Sequence, residues 1–213
     1  MKSMIVSLLT KKVLPLFTIA MVLSFIACKP ADVKEEVATT PTTGEDISGL
    51  VREKIPGTTV EYARQMNANG ALEIEGFMDG DQKTGQWIQY SPEGDILLIN
   101  NYVNGKLEGL VMKMSFRNQV DLKEHYKQGV LDGSWTAYKF GKVIEERNYV
   151  AGKLEGSTKV YDQKTFKLKQ ETQFKNGVQH GLLQYFDETG NVVLSYEYKN
   201  GEKVSGGIVE PPK

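Results

Sequence analysis

The chain has 213 residues, of which 40% are hydrophobic and 25% are charged, and its formal net charge at pH 7 is −1. This balance is typical of a soluble protein. It lacks the basic surplus that nucleic-acid binding requires, so no nucleic-acid partner is expected. Cys28 is the single cysteine, which excludes a disulfide within the chain.

Residues 1–27 have the features of a signal peptide. A basic start that includes Lys2 is followed by an apolar run over residues 13–27, too short to span a bilayer comfortably. The run ends in Ser24–Cys28, which resembles the lipobox of bacterial lipoproteins, although Phe25 replaces the usual leucine. The resemblance implies that Cys28 becomes the lipid-modified N-terminus. The alternative is an ordinary signal peptide that leaves Cys28 unmodified.

Residues 28–56 are predicted to form a disordered tether. The segment contains Pro30, Pro41 and Pro56 and a threonine-rich run at residues 39–43, with few apolar residues and no period. Such a composition cannot bury enough surface to offset the entropy lost on ordering. We therefore expect the folded domain to cover residues 57–210.

The rest of the chain is organised around a repeated phrase. Residues 102–109 read Tyr-Val-Asn-Gly-Lys-Leu-Glu-Gly, and residues 149–156 read Tyr-Val-Ala-Gly-Lys-Leu-Glu-Gly. Looser copies occupy residues 126–133 and 174–181. A phrase that recurs at this interval indicates a tandem-repeat protein, because each unit buries its apolar surface against its neighbours.

The glycine that closes each phrase sets the frame of the repeat, and we call these residues the closing glycines. They are Gly85, Gly109, Gly133, Gly156, Gly181 and Gly206, with Gly57 as an outlying start. Large side chains recur two and five positions after them, as in Trp87 and Tyr90. The frame gives about six units of 23–25 residues, the first one longer.

Each unit has the pattern of a β-hairpin. Alternation of apolar and polar residues is clearest at 192–198, and Asn-Gly pairs at 104–105, 176–177 and 200–201 suit turns that need positive φ angles. No segment beyond residue 56 keeps a helical period. The prediction is an all-β fold, an elongated single-layer antiparallel sheet of tandem hairpins.

The repeat resembles the bacterial variant of the MORN-repeat family. The pattern Tyr-x-Asn-Gly-Lys-x-x-Gly-x-Trp-x-x-Tyr is followed in residues 102–114 and 126–138, and the resemblance covers about residues 57–209. Val111 and Met114 depart from it by filling aromatic slots. The resemblance implies hairpin repeats in one sheet and binding of protein or lipid. Many bacterial proteins of this type carry the label YwqK-family antitoxin.

The sequence offers no catalytic constellation. His125 and His180 are the two histidines, and His180 stands where other units have Glu108, Asp132 or Glu155. The chain has no cysteine–histidine cluster with metal spacing and no phosphate-binding glycine loop. We expect no enzyme activity, no catalytic residue, no cofactor and no metal; the one site residue predicted is Cys28.

The recurring aromatic residues permit two interpretations. They are either structural ladders of rings stacked from hairpin to hairpin, or one face is an aromatic groove for a peptide or glycan. Positions two and five after a closing glycine differ by three, so they should face opposite sides of the sheet. Charged residues such as Lys106 and Glu108 are interpreted as solvated turn charges of little energetic weight.

The expected function is that of a membrane-anchored lipoprotein of the bacterial cell envelope, whose repeats form a non-catalytic platform for a protein partner. Two alternatives stay open: an antitoxin- or immunity-type protein that neutralises a specific toxin, and an envelope protein that binds or acts on glycans. Lys29 follows Cys28 in place of the aspartate that favours retention at an inner membrane. An outer-membrane or surface location is therefore the preferred expectation.

Overall fold

The computed structural model describes residues 48–210, which form one open antiparallel sheet. Its strands are β1 (Val51–Lys54), β2 (Val60–Met66), β3 (Leu72–Asp79), β4 (Gln82–Tyr90), β5 (Ile96–Val103), β6 (Lys106–Leu107), β7 (Gly109–Ser115), β8 (Gln119–Lys127), β9 (Val130–Lys139), β10 (Lys142–Val150), β11 (Lys153–Leu154), β12 (Gly156–Tyr161), β13 (Leu168–Lys175), β14 (Val178–Phe186), β15 (Val192–Lys199) and β16 (Glu202–Ile208). Within residues 48–210 the single helical element is a 3-10 helix at Phe116–Asn118.

The strands follow one another across the sheet in chain order, so every connection is a hairpin. The two-residue strands β6 and β11 pair with β5 and β10 and continue, after a short break, as β7 and β12. Neighbouring strands lie about 4.8 Å apart, so the sheet extends about 60 Å in the hydrogen-bonding direction. The predicted all-β architecture of tandem hairpins is confirmed.

The sheet begins earlier than the sequence predicted. Strand β1 lies inside the range 28–56 that was expected to be a tether, and it pairs with β2 over four residues. Arg52 attaches β1 to the turn between β3 and β4, because its guanidinium donates to the Gly80 carbonyl at 3.0 Å and lies 3.6 Å from the Asp81 carboxylate. The predicted signal peptide, Cys28 and the tether up to residue 47 lie outside the described residues.

Two kinds of turn alternate along the chain. Three turns between units use the expected Asn-Gly pairs with positive φ; at Asn104 and Gly105 the angles are 50° and 74°. Gln128–Gly129 and Ala151–Gly152 adopt the same left-handed conformation without asparagine. The longer turns within units are held by a polar side chain, such as Asp187, whose carboxylate accepts hydrogen bonds from the hydroxyl and amide of Thr189 and the amide of Asn191. These hydrogen bonds, that from the Thr189 hydroxyl first, lower the pKa of Asp187 to about 2.

The core lies along one face of the sheet. Its buried side chains are Ala63, Ile74, Met78, Trp87, Tyr102, Leu107, Val111, Tyr126, Leu131 and Tyr149. The strand registers place all of them on the same side, which we call the packed face; the other side is the open face. No helix in the described part of the chain has the length and hydropathy to cross a membrane.

Candidate interaction site

The side chains two and five positions after a closing glycine lie on opposite faces. Trp87 belongs to the packed face, and its neighbour Ile88 pairs with Glu75, so Glu75 projects from the open face. The hydroxyl of Tyr90 donates to that Glu75 carboxylate at 2.6 Å, which places Tyr90 on the open face too. Tyr161 donates in the same way to Glu146 at 2.7 Å. The alternation predicted from the spacing is confirmed.

A continuous row of side chains runs along the middle of the packed face. Its members are Trp87, Val111, Trp135, Thr158 and Leu183, with the cross-strand residues Asn100, Glu124, Arg147, Thr172 and Tyr196 between them. Three residues, Asn100, Val111 and Glu124, separate the two indoles. The positions form a row, but the stacking of rings from hairpin to hairpin that the sequence predicted does not occur between the two indoles.

The first five closing glycines are each paired with an aromatic residue on the following strand. Gly85 faces Tyr102, Gly109 faces Tyr126, Gly133 faces Tyr149, Gly156 faces Phe174 and Gly181 faces Tyr198. An added Cβ at these glycines would not meet the ring opposite: at Gly109 and Gly156 it would have no atom within 4 Å, and at Gly133 and Gly181 it would meet His125 and Gln173.

The closing glycines also have positive φ angles. The value is 114° at Gly133, and an added Cβ would lie 3.1 Å from the Cβ of His125. At Gly109, with φ 79°, an added Cβ would meet open space. The sequence predicted that a neighbouring residue lies too close to these glycines for a side chain, and this holds at Gly133 but not at Gly109. Both positions favour glycine for another reason, the left-handed backbone conformation.

Trp87 is the most completely enclosed aromatic side chain of the packed face, with an exposed fraction of 2%. Its ring lies flat on Gly76, whose hypothetical Cβ would be 2.3 Å from the indole Cδ2. The Nζ of Lys83 lies 4.3 Å from the ring centroid, and the indole Nε1 donates to the Phe77 carbonyl at 2.9 Å. A cation–ring contact of this kind contributes about 0.5–1 kcal/mol at an exposed site and more when desolvated.

A buried carboxylate joins two units near the centre of the packed face. Glu124 accepts from the Trp135 Nε1 at 3.1 Å and lies 3.4 Å from the Nζ of Lys113. It also accepts from the hydroxyl of Tyr126 at 3.4 Å. Burial raises the pKa of Tyr126, and the nearby charge of Glu124 adds to the shift. The negative charge of Glu124 thus has a partner on each neighbouring strand, Lys113 on β7 and Trp135 on β9, and a buried charge requires such partners.

Arg147 continues this polar cluster on the next strand. Its guanidinium carbon lies 4.5 Å from the Trp135 ring centroid, its Nε donates to Glu145 at 2.8 Å, and a terminal nitrogen donates to the Tyr149 hydroxyl at 3.3 Å. From β2 to β10 the packed face is therefore filled by its own side chains, whereas the aromatic residues farther along, Phe174, Tyr196 and Tyr198, are only part-buried.

The open face carries tyrosine–carboxylate contacts. Glu75 accepts from Tyr62 at 2.5 Å and from Tyr90 at 2.6 Å, so one carboxylate joins the first two units. Burial, followed by the hydrogen bond to Glu75, raises the pKa of Tyr90 to about 12. The hydrogen bond to Glu75 is the main cause of the raised pKa of Tyr62. These contacts join β3, which carries Glu75, to the strands on either side.

The residue before each of four closing glycines forms a hydrogen bond with the next turn between units. Their side chains accept a hydrogen bond from a backbone amide about twenty residues later; the pairs are Glu108–Gln128 at 2.8 Å, Asp132–Ala151 at 3.0 Å, Glu155–Asn176 at 2.7 Å and His180–Asn200 at 3.4 Å. The interpretation of Glu108 and Glu155 as solvated turn charges is therefore wrong. His180 takes the same role with its Nδ1, and His125 bonds through Nδ1 to the carbonyl of Ser134 at 3.1 Å.

The margin of the open face combines exposed valines with lysines. Two residues flank each turn between units as a cross-strand pair: Val103–Lys106, Lys127–Val130, Val150–Lys153, Lys175–Val178 and Lys199–Glu202. We call these ten exposed residues the turn margin. Each valine keeps about half of its surface in solvent, from 44% at Val103 to 52% at Val150. The sequence analysis did not predict this surface, although the lysine beside each of the five turns between units recurs in the sequence and could have indicated it.

Cys28 lies outside the described residues. Within residues 48–210 no group of three or more His, Cys, Asp or Glu side chains could hold a metal ion. A surface depression lies at the turn between β1 and β2, beside Lys54, Glu61 and Asp79.

No protein-family model matches the chain, and no curated protein matches it.

Proposed function

We propose that the repeat domain is a non-catalytic protein-interaction platform, held in the bacterial cell envelope by a lipid on Cys28, and that the turn margin of its open face contacts the partner. The observation that carries the proposal is the contrast between the two faces. Ten side chains of the packed face are buried together in one cluster, whereas the four valines of the turn margin are each 44–52% exposed. Across the sheet these valines alternate with pairs of lysines, and exposed apolar residues rimmed by polar ones are typical of protein contact sites.

The charge of the turn margin defines the kind of partner. Its five pairs contain five lysines and one acidic residue, Glu202. Lysine side chains at the rim of a contact steer an acidic partner and set the salt dependence of association. We therefore propose a partner with an acidic surface and an apolar strip. In this proposal, lipid attachment at Cys28 holds the sheet at a membrane, and the segment 28–47 is the tether that gives it room to reach that partner.

The test is crosslinking in intact cells with the lipidated protein, followed by identification of crosslinked proteins by mass spectrometry. The variants Val130→Glu and Val150→Glu change neighbouring turns of the margin. Phe140→Asn, at an exposed turn on the opposite ends of the strands, is the matched control. One dominant partner, lost in both glutamate variants and kept in the control, supports the proposal. Equal recovery from all variants contradicts the assignment of the turn margin.

The same experiment separates a dedicated antagonist from a scaffold. A single stoichiometric partner that is toxic when expressed alone indicates an antitoxin- or immunity-type role. Several envelope proteins recovered through the same valines indicate an assembly scaffold. Recovery of glycan without protein contradicts the platform and supports the glycan alternative.

A further inference from the structure

A row of cross-strand neighbours in the middle of the open face carries an acid, three apolar residues and a base, in that order. Its members, from β3 to β8, are Glu75, Ile88, Ile99, Met112 and Lys123, which we call the open-face row. Each residue pairs directly with the next, so the row crosses five strands and its two ends lie about 19 Å apart.

Within residues 48–210, neither charged end of the open-face row forms an ion pair. Arg64 faces Glu75 from β2, but its guanidinium donates to Glu53 at 2.7 Å. At the other end of the row, the Nζ of Lys123 lies 5.5 Å from the ring centroid of Tyr138. Both charges can therefore take a partner from outside the sheet.

Farther along the sheet the same line of positions is built differently. Lys159 pairs with Glu146 on one side and with Glu171 on the other, so opposite charges are neighbours within the sheet. In the open-face row, three apolar side chains separate the acid from the base. This separation is a pattern that a second surface can complement.

Apolar residues also lie beside the open-face row, toward the turns within units. Tyr90 pairs with Ile96, and Met114 pairs with Val120. All four are only part-buried. An apolar surface bounded by charges is typical of a contact with another protein.

We propose that the open face binds the open face of a second copy of this chain, around a two-fold axis that runs parallel to the strands over Ile99. This axis reverses the strand order of the second copy and keeps the positions along each strand. Ile99 then faces its own equivalent. Ile88 faces Met112 of the second copy, and Glu75 faces Lys123 of the second copy. The row is thus complementary to itself, as the contact of a symmetric dimer must be.

The charges exclude the other symmetric way of stacking two open faces. A two-fold axis that runs along the row keeps the strand order, so Glu75 would face Glu75 and Lys123 would face Lys123. Like charges that face each other oppose association. Facing sheets lie about 10 Å apart, a gap that a glutamate and a lysine can bridge from opposite sides.

The contact is large enough for a reversible dimer. The five strands have seven to nine residues each, so their open face measures about 24 by 27 Å, or about 650 Å². A standard protein interface buries about 800 Å² on each partner. The inference goes beyond the proposed function, since it concerns the middle of the open face and not the turn margin.

The test is sedimentation equilibrium of the full-length protein in a density-matched detergent solution, which measures the dissociation constant of the dimer. We expect a dimer whose fraction rises with protein concentration. Lys123→Glu places two glutamates opposite each other at both ends of the contact, and it should raise the dissociation constant about tenfold or more. This variant should fold like the wild type, because Lys123 forms no ion pair within residues 48–210.

Glu75→Gln supplies the second half of the test, because glutamine keeps an oxygen that accepts from Tyr62 and Tyr90. In the wild-type background it removes an attraction and should weaken the dimer. In the Lys123→Glu background it removes a repulsion and should tighten the dimer about threefold or more.

The matched control is Lys175→Glu, the same charge change at an exposed lysine of the turn margin on β13. This variant should dimerise as the wild type does. A protein that stays monomeric up to its solubility limit, or a wild-type dissociation constant for Lys123→Glu, overturns the proposal. Equal weakening by Lys175→Glu, or further weakening of Lys123→Glu by Glu75→Gln, overturns it as well.

Discussion

Replacing Gly76 by alanine should destabilise the sheet through one contact. Gly76 has no positive φ angle, so alanine causes no backbone strain there. Its Cβ would lie 2.3 Å from Cδ2 and 2.5 Å from two other atoms of the Trp87 ring. Carbon atoms pack at about 3.5–4.0 Å, so the indole must move by about 1 Å or more.

The displacement changes three interactions of Trp87. Overpacking in a filled site costs about 1–3 kcal/mol. The hydrogen bond from the indole to the Phe77 carbonyl, now 2.9 Å long, contributes about 0.5–1.5 kcal/mol. The contact with the Lys83 ammonium contributes about 0.5–1 kcal/mol. Because these effects overlap, we expect a loss of about 2–4 kcal/mol in the free energy of unfolding, or about 5–15 °C in Tm.

Urea unfolding followed by circular dichroism measures the effect, with Gly207→Ala as the matched control. Gly207 also has no positive φ angle, and an added Cβ meets open space there, so this variant should unfold with the wild type. In a Trp87→Val background, which imitates Val111 in the next unit, the cost of Gly76→Ala should fall below about 1 kcal/mol. An equal cost in both backgrounds would refute the steric explanation.

Three other predictions concern the hydrogen bond between Glu155 and the next turn, the open-face residue Tyr90 and the proposed lipid attachment at Cys28. Glu155→Ala removes the acceptor of the Asn176 amide and should lower the free energy of unfolding by about 0.5–1.5 kcal/mol. Glu155→Gln keeps a side-chain oxygen and should therefore lose less stability. Equal losses for the two variants in urea unfolding would contradict a stabilising role for this hydrogen bond. Burial and the hydrogen bond to Glu75 raise the pKa of Tyr90 to about 12, whereas the pKa in the unfolded chain is about 10. Because the protonated hydroxyl is favoured in the folded state, Tyr90 contributes stability below pH 10, and this contribution is lost as the pH rises to 12. Tyr90→Phe should therefore lose less stability than the wild type over this interval, and parallel denaturation curves from pH 9 to 12 would show that Tyr90 does not titrate in this way. Cys28→Ala should move the protein from the membrane to the soluble fraction in cell fractionation, and a variant that stays with the membrane would rule out lipid attachment there.

The repeat and its fold class could be predicted because their signals are local. The phrase at 102–109, its copies and the Asn-Gly turns identify hairpins without knowledge of any distant contact. The same holds for the opposite orientation of Trp87 and Tyr90, since side chains alternate along any strand. The start of the sheet was missed because Arg52 holds β1 through Gly80 and Asp81, which lie almost thirty residues away.

The amino-acid sequence alone determined that this chain is a row of hairpins, since period, turn residues and alternation are properties of neighbouring residues. Only the tertiary structure decided which face is packed, because that depends on the register that sets Trp87 on Gly76 and Glu124 against Trp135. It also decided that the acidic residue before a closing glycine binds the next turn, as Glu155 does, and that the valines of the turn margin stay exposed. Register is fixed by cross-strand partners that are far apart in the chain, and a shift of one residue exchanges the two faces.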